Sequence, residues 1–300
     1  MASTFDACVI GHVARDINTI GDVEHAPSPG GAAYYSTMVY RALGLRAAVV
    51  TRVAERDRHL LRELEDSGVE VLNLPSEATT TFRNHYPSAA DPDLRLQRVD
   101  ARAGTIPVAA LPDLRARIWQ IGPLTADDVE LAMIGHCAAR GGLVALDVQG
   151  LTREVIDGEV RPAEPAARLD DLRALDVLKA DDEEILTYTG VPAVAAAVAR
   201  VRQAGAHEVL ITRASAGATI YGPSGALAIA AVPPRRMRDA TGCGDTFLAA
   251  YMARRLTSDD LRDCGEFAAA AASINIETLG AFRGTLDDIA GRRAARRRHR

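Results

Sequence analysis

The residues best suited to chemistry in this 300-residue chain form one run, Asp239-Ala240-Thr241-Gly242-Cys243-Gly244-Asp245-Thr246, followed by Phe-Leu-Ala-Ala-Tyr-Met. Two glycines alternate with a small residue just before a strongly helical stretch. Glycine lets the backbone turn so that several N–H groups converge at a helix start, and such a cluster, aided by the helix dipole, binds anions. Asp245 falls in the first helical turn. A carboxylate there could be a simple cap favoured by the dipole. Asp239 and Thr241 already offer capping side chains, however, and two glycines would then be an unneeded cost. A carboxylate beside an anion site is what phosphoryl transfer to an alcohol needs. The carboxylate takes the hydroxyl proton while the N–H cluster stabilises charge on the transferring group.

The elements that must position this run alternate in type. Ala7 to Val13, Ala47 to Val53, Val69 to Leu74, Ile118 to Ile121, Leu143 to Val148, Val177 to Lys179 and Glu208 to Thr212 are short apolar runs that read as strands. Helical stretches lie between them, among them Ala32 to Leu43, opened by Gly30-Gly31, and His59 to Ser67, closed by Gly68. After Asp239 the chain turns helical over Asp245 to Leu256, Ser258 to Ser273 and Leu286 to Arg293. This alternation predicts βαβ units, a mostly parallel sheet and helices on both of its faces. Two polar, β-prone segments break the rhythm, Asp16 to Glu24 and Thr79 to Arg98. They are expected to be antiparallel strands forming a small β lid, from about 14–27 and 78–100, over the open end of one α/β domain spanning 1–290. Arg161 to Ala167 reads as a loop.

Composition removes several alternatives. Apolar residues make up 48% and charged residues 25%, an ordinary globular balance. No apolar run approaches the roughly 20 residues needed to cross a bilayer, and Asp6 interrupts the N-terminal stretch, so neither membrane nor signal peptide is expected. The four cysteines, Cys8, Cys137, Cys243 and Cys264, lie far apart with no C-x-x-C pair, which fits a cytoplasmic protein. The net charge is −5 although the last ten residues hold six arginines and no acid, so the body is markedly acidic. That argues against a nucleic-acid partner. Residues 291–300 are expected to be a disordered basic tail. Lys179 is the single lysine, and no glycines precede it as a Walker-A loop requires; the protein-kinase motifs are absent as well.

The Asp239–Phe247 run resembles the D-T-x-G-A-G-D signature of the PfkB/ribokinase family of carbohydrate kinases, with Cys243 in place of alanine. The rest of the chain follows the family's order over roughly residues 7 to 284. Gly11 and Asp16 resemble its early glycine and sugar-binding aspartate. Pro29-Gly30-Gly31-Ala32-Ala33 resembles its first glycine signature, although Tyr35 stands near a usual asparagine. Lys179 to Glu184 stands where the family has N-x-x-E, with Asp181 for the asparagine and Glu184 matching the glutamate. Ile211 to Gly217 resembles T-x-G-x-x-G, with Ala214 for the middle glycine. The resemblance implies a ribokinase-like three-layer α/β/α fold. It implies Asp245 as catalytic base and Gly242, Cys243 and Gly244 as the anion hole. ATP would be bound by Lys179, Thr212, Gly217, Thr241, Gly242 and Gly244, and Mg²⁺ organised by Asp181 and Glu184, with a monovalent cation as a further expectation.

Fold does not decide the acceptor. Phe82-Arg83-Asn84-His85-Tyr86, Arg95-Leu96-Gln97 and Asp147-Val148-Gln149-Gly150 resemble the myo-inositol-kinase-like branch. A polyhydroxylated ring needs several convergent polar partners. Asp16, Gly30, Gly31, Asn84, Gln97 and Gln149 are the expected substrate-binding residues. Arg83 and Arg95 could instead pair with surface acids. A nucleoside would need an aromatic platform; aromatics are only 4% of the chain, though Tyr34, Tyr35, Phe82 and Tyr86 fall near these motifs. The expected function is therefore ATP-dependent phosphorylation of a sugar or cyclitol hydroxyl by a homodimer joined through its lids. A nucleoside kinase and a non-catalytic sugar or nucleotide sensor remain as alternatives.

Overall fold

The computed structural model describes residues 3–87, 96–164 and 169–297. Strands β1 (Ser3–Ile10), β2 (Ala14–Ile20), β3 (Val23–Glu24) and β4 (Ser28–Gly30) lead into helix α1 (Ala32–Ala42). Next come β5 (Ala47–Arg52), the short helix α2 (Arg62–Asp66), β6 (Glu70–Leu74), β7 (Thr81–Tyr86), β8 (Leu96–Ala101) and β9 (Leu114–Ile121). Then follow α3 (Met133–Ala138), β10 (Leu143–Asp147), β11 (Arg153–Ile156), β12 (Glu159–Pro162), β13 (Val177–Asp181), α4 (Asp182–Thr189) and α5 (Val194–Gln203). The chain ends with β14 (Glu208–Thr212), β15 (Ala218–Gly222), β16 (Gly225–Ile229), α6 (Cys243–Arg255), α7 (Leu261–Asn275) and α8 (Leu286–Arg297).

The central sheet has the order β16-β15-β14-β13-β10-β9-β1-β5-β6. Strands β14 through β6 are parallel, while β15 and β16 add an antiparallel edge. The alternating side chains of each strand feed two separate cores. Ala7 and Val9 pack with α1, α6 and α7 on one face; Cys8 and Ile10 pack with α3, α4 and α5 on the other. Near-continuous apolar strands are what a sheet covered on both faces requires. The expected three-layer α/β/α arrangement with a mostly parallel sheet is therefore present. No helix among the described residues is long and apolar enough to cross a membrane.

A second sheet, β11-β12-β8-β7-β2-β3 with β4 against β2, forms the lid. It has its own small core of Ala14, Ala32, Phe82, Val99 and Leu124. Three details differ from the sequence expectation. First, β2 and β7 pair parallel, from Arg15↔Thr81 to Ile20↔Tyr86. Each continues outward from the carboxyl end of a strand in the same parallel sheet (β1 and β6), so both emerge in one direction. Second, the lid recruits β4 and the hairpin β11–β12, whose Val155 and Val160 pack on the lid core. Part of the Arg161 to Ala167 stretch is thus strand, and residues 88–95, which include Arg95, lie outside the described ones.

Third, α8 continues to Arg297, so 291–297 is helical rather than a disordered tail. Specific ion pairs explain the extension. Arg292 makes a two-pronged pair with Glu277, 2.9 Å for each nitrogen, and also bonds Ser273. Arg293 bonds Asp263 at 2.7 Å. Both arginines are largely covered, and bidentate charge-assisted bonds of this kind are worth more than exposed pairs. Arg292→Ala should lower unfolding stability by about 1–3 kcal/mol in a urea titration, whereas a tail without fixed contacts would leave the midpoint unchanged.

Candidate active site

The site is built on neighbouring strand ends. Asp147 and Lys179 are directly opposed in the β10–β13 register. Their side chains meet in the interior, with Lys179 Nζ 3.1 Å from Asp147 Oδ2 and 3.6 Å from Glu184 Oε2. Lys179 is only 4% exposed and Asp147 3%. Burial alone would strip the lysine of its proton, but Asp147, Glu184 and Asp245 around it hold its pKa above the usual lysine value. Burial likewise works against an ionised Glu184, yet Lys179 and the Asp181 N–H keep it below the usual glutamate range.

Asp245 enters this cluster from α6. Gly242 is the N-cap of that helix, with φ 74°, and no side chain caps the helix start. With no side chain on it, the helix start is open to an incoming anion. The loop before the helix is fastened by two polar side chains. Asp239 accepts from the Thr241 N–H at 2.8 Å, and the buried Asn275 donates to the Thr241 carbonyl at 3.1 Å. Asp245 is half-buried as a residue, but its carboxyl lies among protein atoms and beside Asp147 and Glu184. Burial first, then these two neighbours, push its pKa up to about 7. A carboxylate so tuned can exchange a proton near neutrality, as general-base work requires.

Most of the sequence-predicted residues converge on one cavity of about 540 Å³, a size suited to a small metabolite. Asp16, Gly31, Asn84, Gln97, Gln149, Lys179 and the Thr241–Asp245 run all line it. Asn84 is the middle of a cross-strand ladder in the lid: Gln97 donates to it at 2.8 Å, and it donates to Asn18 at 3.0 Å. Gln149 lines the cavity while its amide also bonds Glu184. Gly30 serves Asp16: a Cβ there would lie 2.0 Å from the Asp16 carboxylate.

Other expectations shift. The Cys243 N–H donates to the Ala240 carbonyl at 3.2 Å, so Cys243 contributes a turn bond rather than a free donor. Its thiol faces Asn275 and the Ala272 carbonyl, and burial pushes its pKa up to about 11. Asp181 and Glu184 form a reciprocal capping box at the start of α4, Asp181 accepting from the Glu184 N–H at 2.7 Å and Glu184 from the Asp181 N–H at 2.8 Å. Among the described residues, no group of three His, Cys, Asp or Glu is placed to hold a metal ion. Thr212 sits opposite Asp181 in the sheet, one strand further out, and neither it nor Gly217 lines the Asp245 cavity. Lys179 belongs to the buried charge cluster itself. Arg83 pairs with Glu24 and Asp100 on the surface.

Sequence reasoning missed several lining residues, among them Asn18, Asp147 and Arg153. Asn18 was findable, since it follows Asp16 by two and strands alternate faces. Asp147 was quoted in a motif but given no role, although it ends a predicted strand. Arg153 carried no local signal.

Residues 152–287 match the family model described as pfkB family carbohydrate kinase. That match spans a little under half of the chain, all of it in the C-terminal portion. PfkB-family kinases are phosphotransferases acting on hydroxyl groups of sugars or nucleosides. The chain is 26% identical over 272 residues to cytidine kinase of Thermococcus kodakarensis, covering 86% of this chain and 91% of that protein. It is 28% identical over 163 residues to ribokinase of Arabidopsis thaliana, covering 52% of this chain but only 40% of that relative. Its fold matches a pyrophosphate-dependent kinase in the ribokinase family, complexed with a pyrophosphate analog and myo-inositol. The TM-score there is 0.82 at 24% identity, over 95% of this chain and 99% of that one. It also matches Arabidopsis ribokinase complexed with ribose and ATP, at TM-score 0.74 and 19% identity over 98% and 99%. The chain is thus ribokinase-like in fold.

The raised pKa of Asp245 is also a statement about stability. The folded state holds this proton more tightly than the unfolded chain does, so stability falls as pH rises from about 4 through about 7. Asp245→Asn removes that cost. The variant should exceed the native protein in Tm, and by more at pH 8 than at pH 5; equal gains at both would contradict a buried, titrating Asp245. Cys243→Ala should leave the fold and the pH dependence intact.

Proposed function

We propose that this protein transfers the γ-phosphoryl group of ATP to a hydroxyl of a small sugar or myo-inositol-like cyclitol. The observation that carries this reading is the meeting of Asp245, at pKa about 7, with the uncapped start of α6 in a cavity roofed by polar lid residues. Asp245 accepts the acceptor proton as the hydroxyl oxygen attacks phosphorus. The α6 N–H groups and Lys179 lie where negative charge accumulates on the transferring group. Asp16 and the Asn18–Asn84–Gln97 ladder offer both donors and acceptors, which suits several ring hydroxyls at once.

Mg²⁺ fits this site in one form only. It usually keeps several waters and binds one or two carboxylates together with substrate phosphates. Asp181 commits a single oxygen to the capping box and is only partly buried, so its other oxygen suits such a hydrated ion, while Glu184 is buried and also held by Lys179 and Gln149. Bound there with the donor, Mg²⁺ would neutralise phosphate charge.

A second reading, nucleoside phosphorylation, is favoured by the aromatic share of the cavity wall. Tyr34, Tyr35, Phe82 and Tyr86 all line it. One experiment separates these readings: turnover with ATP or pyrophosphate as donor against sugars, cyclitols and nucleosides. ATP with a cyclitol or sugar supports the first reading. A nucleoside as preferred acceptor, or pyrophosphate as the only donor, replaces the corresponding half of it. Silence across the panel leaves a non-catalytic binder.

With an active pair in hand, Asp245→Asn should lower kcat by about 10²–10⁴-fold with little change in acceptor KM. Native kcat/KM should rise with pH through about 7 as Asp245 ionises. Asn84→Ala breaks the ladder and should raise acceptor KM while leaving the KM for donor unchanged. We further propose a homodimer joined through the lids, because Ile20, Val23 and Leu96 are exposed apolar residues on lid strands. Val23→Asp with Leu96→Asp should shift the elution volume to that of a monomer; an unchanged volume would argue against it.

A further inference from the structure

Three passages of the chain between body and lid meet at one buried histidine. His12 lies between β1 and β2 and is fully buried. Its Nδ1 is hydrogen-bonded to Thr80 Oγ1 at 2.9 Å, and Thr80 immediately precedes β7. The same hydroxyl oxygen accepts from the N–H of Ala103, just after β8, at 3.1 Å. Nδ1 also lies 3.5 Å from Asp128 Oδ2. Asp128 in turn accepts from the Leu124 N–H at 2.8 Å, and Leu124 belongs to the lid core. Nε2 has no hydrogen-bond partner among the described residues. Burial lowers the His12 pKa and Arg52 lowers it further, against the pull of Asp128 and the Gly104 carbonyl, so the ring is neutral near neutral pH.

Packing is incomplete on one side of this junction. A second cavity, of about 830 Å³, lies against it and is lined by Gly104, Thr105, Asp128 and Leu151 among others. Polar bonds must therefore do more of the joining there. The His12–Thr80 bond also sits where the lid begins. The parallel register of β2 on β7 opens at Arg15↔Thr81, and the Arg15 N–H donates to the Thr80 carbonyl at 2.8 Å. His12 lies four residues before Asp16, and Thr80 four before Asn84. Both of those later side chains line the Asp245 cavity. A slip of one residue between the strands would turn every side chain of one of them to the other face.

We propose that His12 is a positioning residue: its bond to Thr80 sets the stagger of β2 on β7 and seats that pair on the body. Asp16, Asn18 and Asn84 are thereby presented to the acceptor as one surface. This deepens the kinase reading and rests on it. The effect falls on acceptor binding rather than on the transfer step. Asp245 and Lys179 are carried by α6 and β13, which form no part of the lid. Hydrogen bonds weaken steeply as distance and angle depart from their optimum, so a displaced lid loses its hold on the acceptor first. The unpartnered Nε2 makes the two ends of the ring separable. His12→Asn puts an amide where Nδ1 stands, and His12→Gln puts it nearer Nε2.

The test combines acceptor kinetics with amide hydrogen exchange on the full chain. His12→Gln and Thr80→Val should each raise acceptor KM by about 10–100-fold, with donor KM and kcat within about threefold of native. His12→Asn should recover most of that loss. His12→Gln combined with Thr80→Val should cost no more than Thr80→Val alone, since both break one bond. Exchange in β2, β7 and β8 should quicken in His12→Gln and Thr80→Val while β1, β5 and β9 stay protected. An active native protein whose acceptor KM is unmoved in both single variants overturns the assignment and leaves the kinase reading intact. So does a donor KM that rises with acceptor KM, His12→Asn no better than His12→Gln, or exchange that quickens equally in the central sheet. A native protein silent with every donor and acceptor overturns the kinase reading. Exchange then decides the rest: quickening confined to the lid keeps His12 as the tie between β2 and β7, and its absence removes that role too.

Discussion

The structure depends on keeping a lysine charged inside the protein. Asp147 and Lys179 are neighbours across a parallel strand pair, so the backbone register alone brings their side chains together. Removing either partner would leave a buried, uncompensated charge, a costly situation. Glu184 completes the arrangement from the first turn of α4, where its other role is to close the capping box with Asp181. The same carboxylate thus fixes the start of a helix and the position of the ammonium. Asp245 is buried beside a cluster already crowded with negative charge; burial first, then Asp147 and Glu184, raise its pKa to about 7.

A polar cavity of this kind gains from the exclusion of water, which strengthens the electrostatic interactions inside it. The sheet cannot do this by itself, because its carboxyl ends open to solvent. The lid answers that need with a second sheet drawn from three separate excursions of the chain. Its core is small, with five buried residues, and shares Ala32 with α1 and Leu124 with the loop after β9. The lid is therefore tied to the body at the points that frame the cavity. Its inner surface is polar where Asn18, Asn84 and Gln97 bond one another. A ladder of amides rather than apolar side chains gives that surface hydrogen-bonding capacity without fixed charge.

The sequence disclosed the parts of this design that are local. The seven parallel strands were legible from apolar runs covered on both faces, and the α6 start from glycine spacing. The catalytic candidate Asp245 and the lid's general position were legible for the same reason. What stayed hidden depends on partners distant in the chain. The parallel pairing of β2 with β7 follows from two strands leaving the body in one direction, which no short segment encodes. The hairpin β11–β12, a mixture of charged and apolar residues, gains its meaning from packing on Phe82 and Val99. The basic C-terminus read as disordered because Arg292 and Arg293 are satisfied by Glu277 and Asp263, acids on the preceding helix and its end. Asp181 and Glu184 read as metal-organising residues, yet their observed bonds are those of a helix cap. Spacing of three residues serves both purposes, and only geometry separates them.

Close approach explains why glycine is needed at the cavity wall, and it links the lid side of the cavity to the start of α6. At Gly242 a Cβ would lie 2.5 Å from the ring of Tyr35, so the tyrosine packs directly on the backbone that opens α6. Burial raises the Tyr35 pKa, and the nearby Asp16, Asp239 and Asp245 raise it further, so its hydroxyl keeps its proton among three carboxylates. At Gly30 the missing Cβ makes room for the carboxylate of Asp16. Tyr35 and Asp16 both line the cavity. Tyr35 ties α1 to the loop that opens α6, and Asp16 ties the glycine turn before α1 to the lid strand β2. A Cβ at either glycine would displace a cavity-lining side chain. The shape of the cavity is thus set by backbone contact as much as by its side chains.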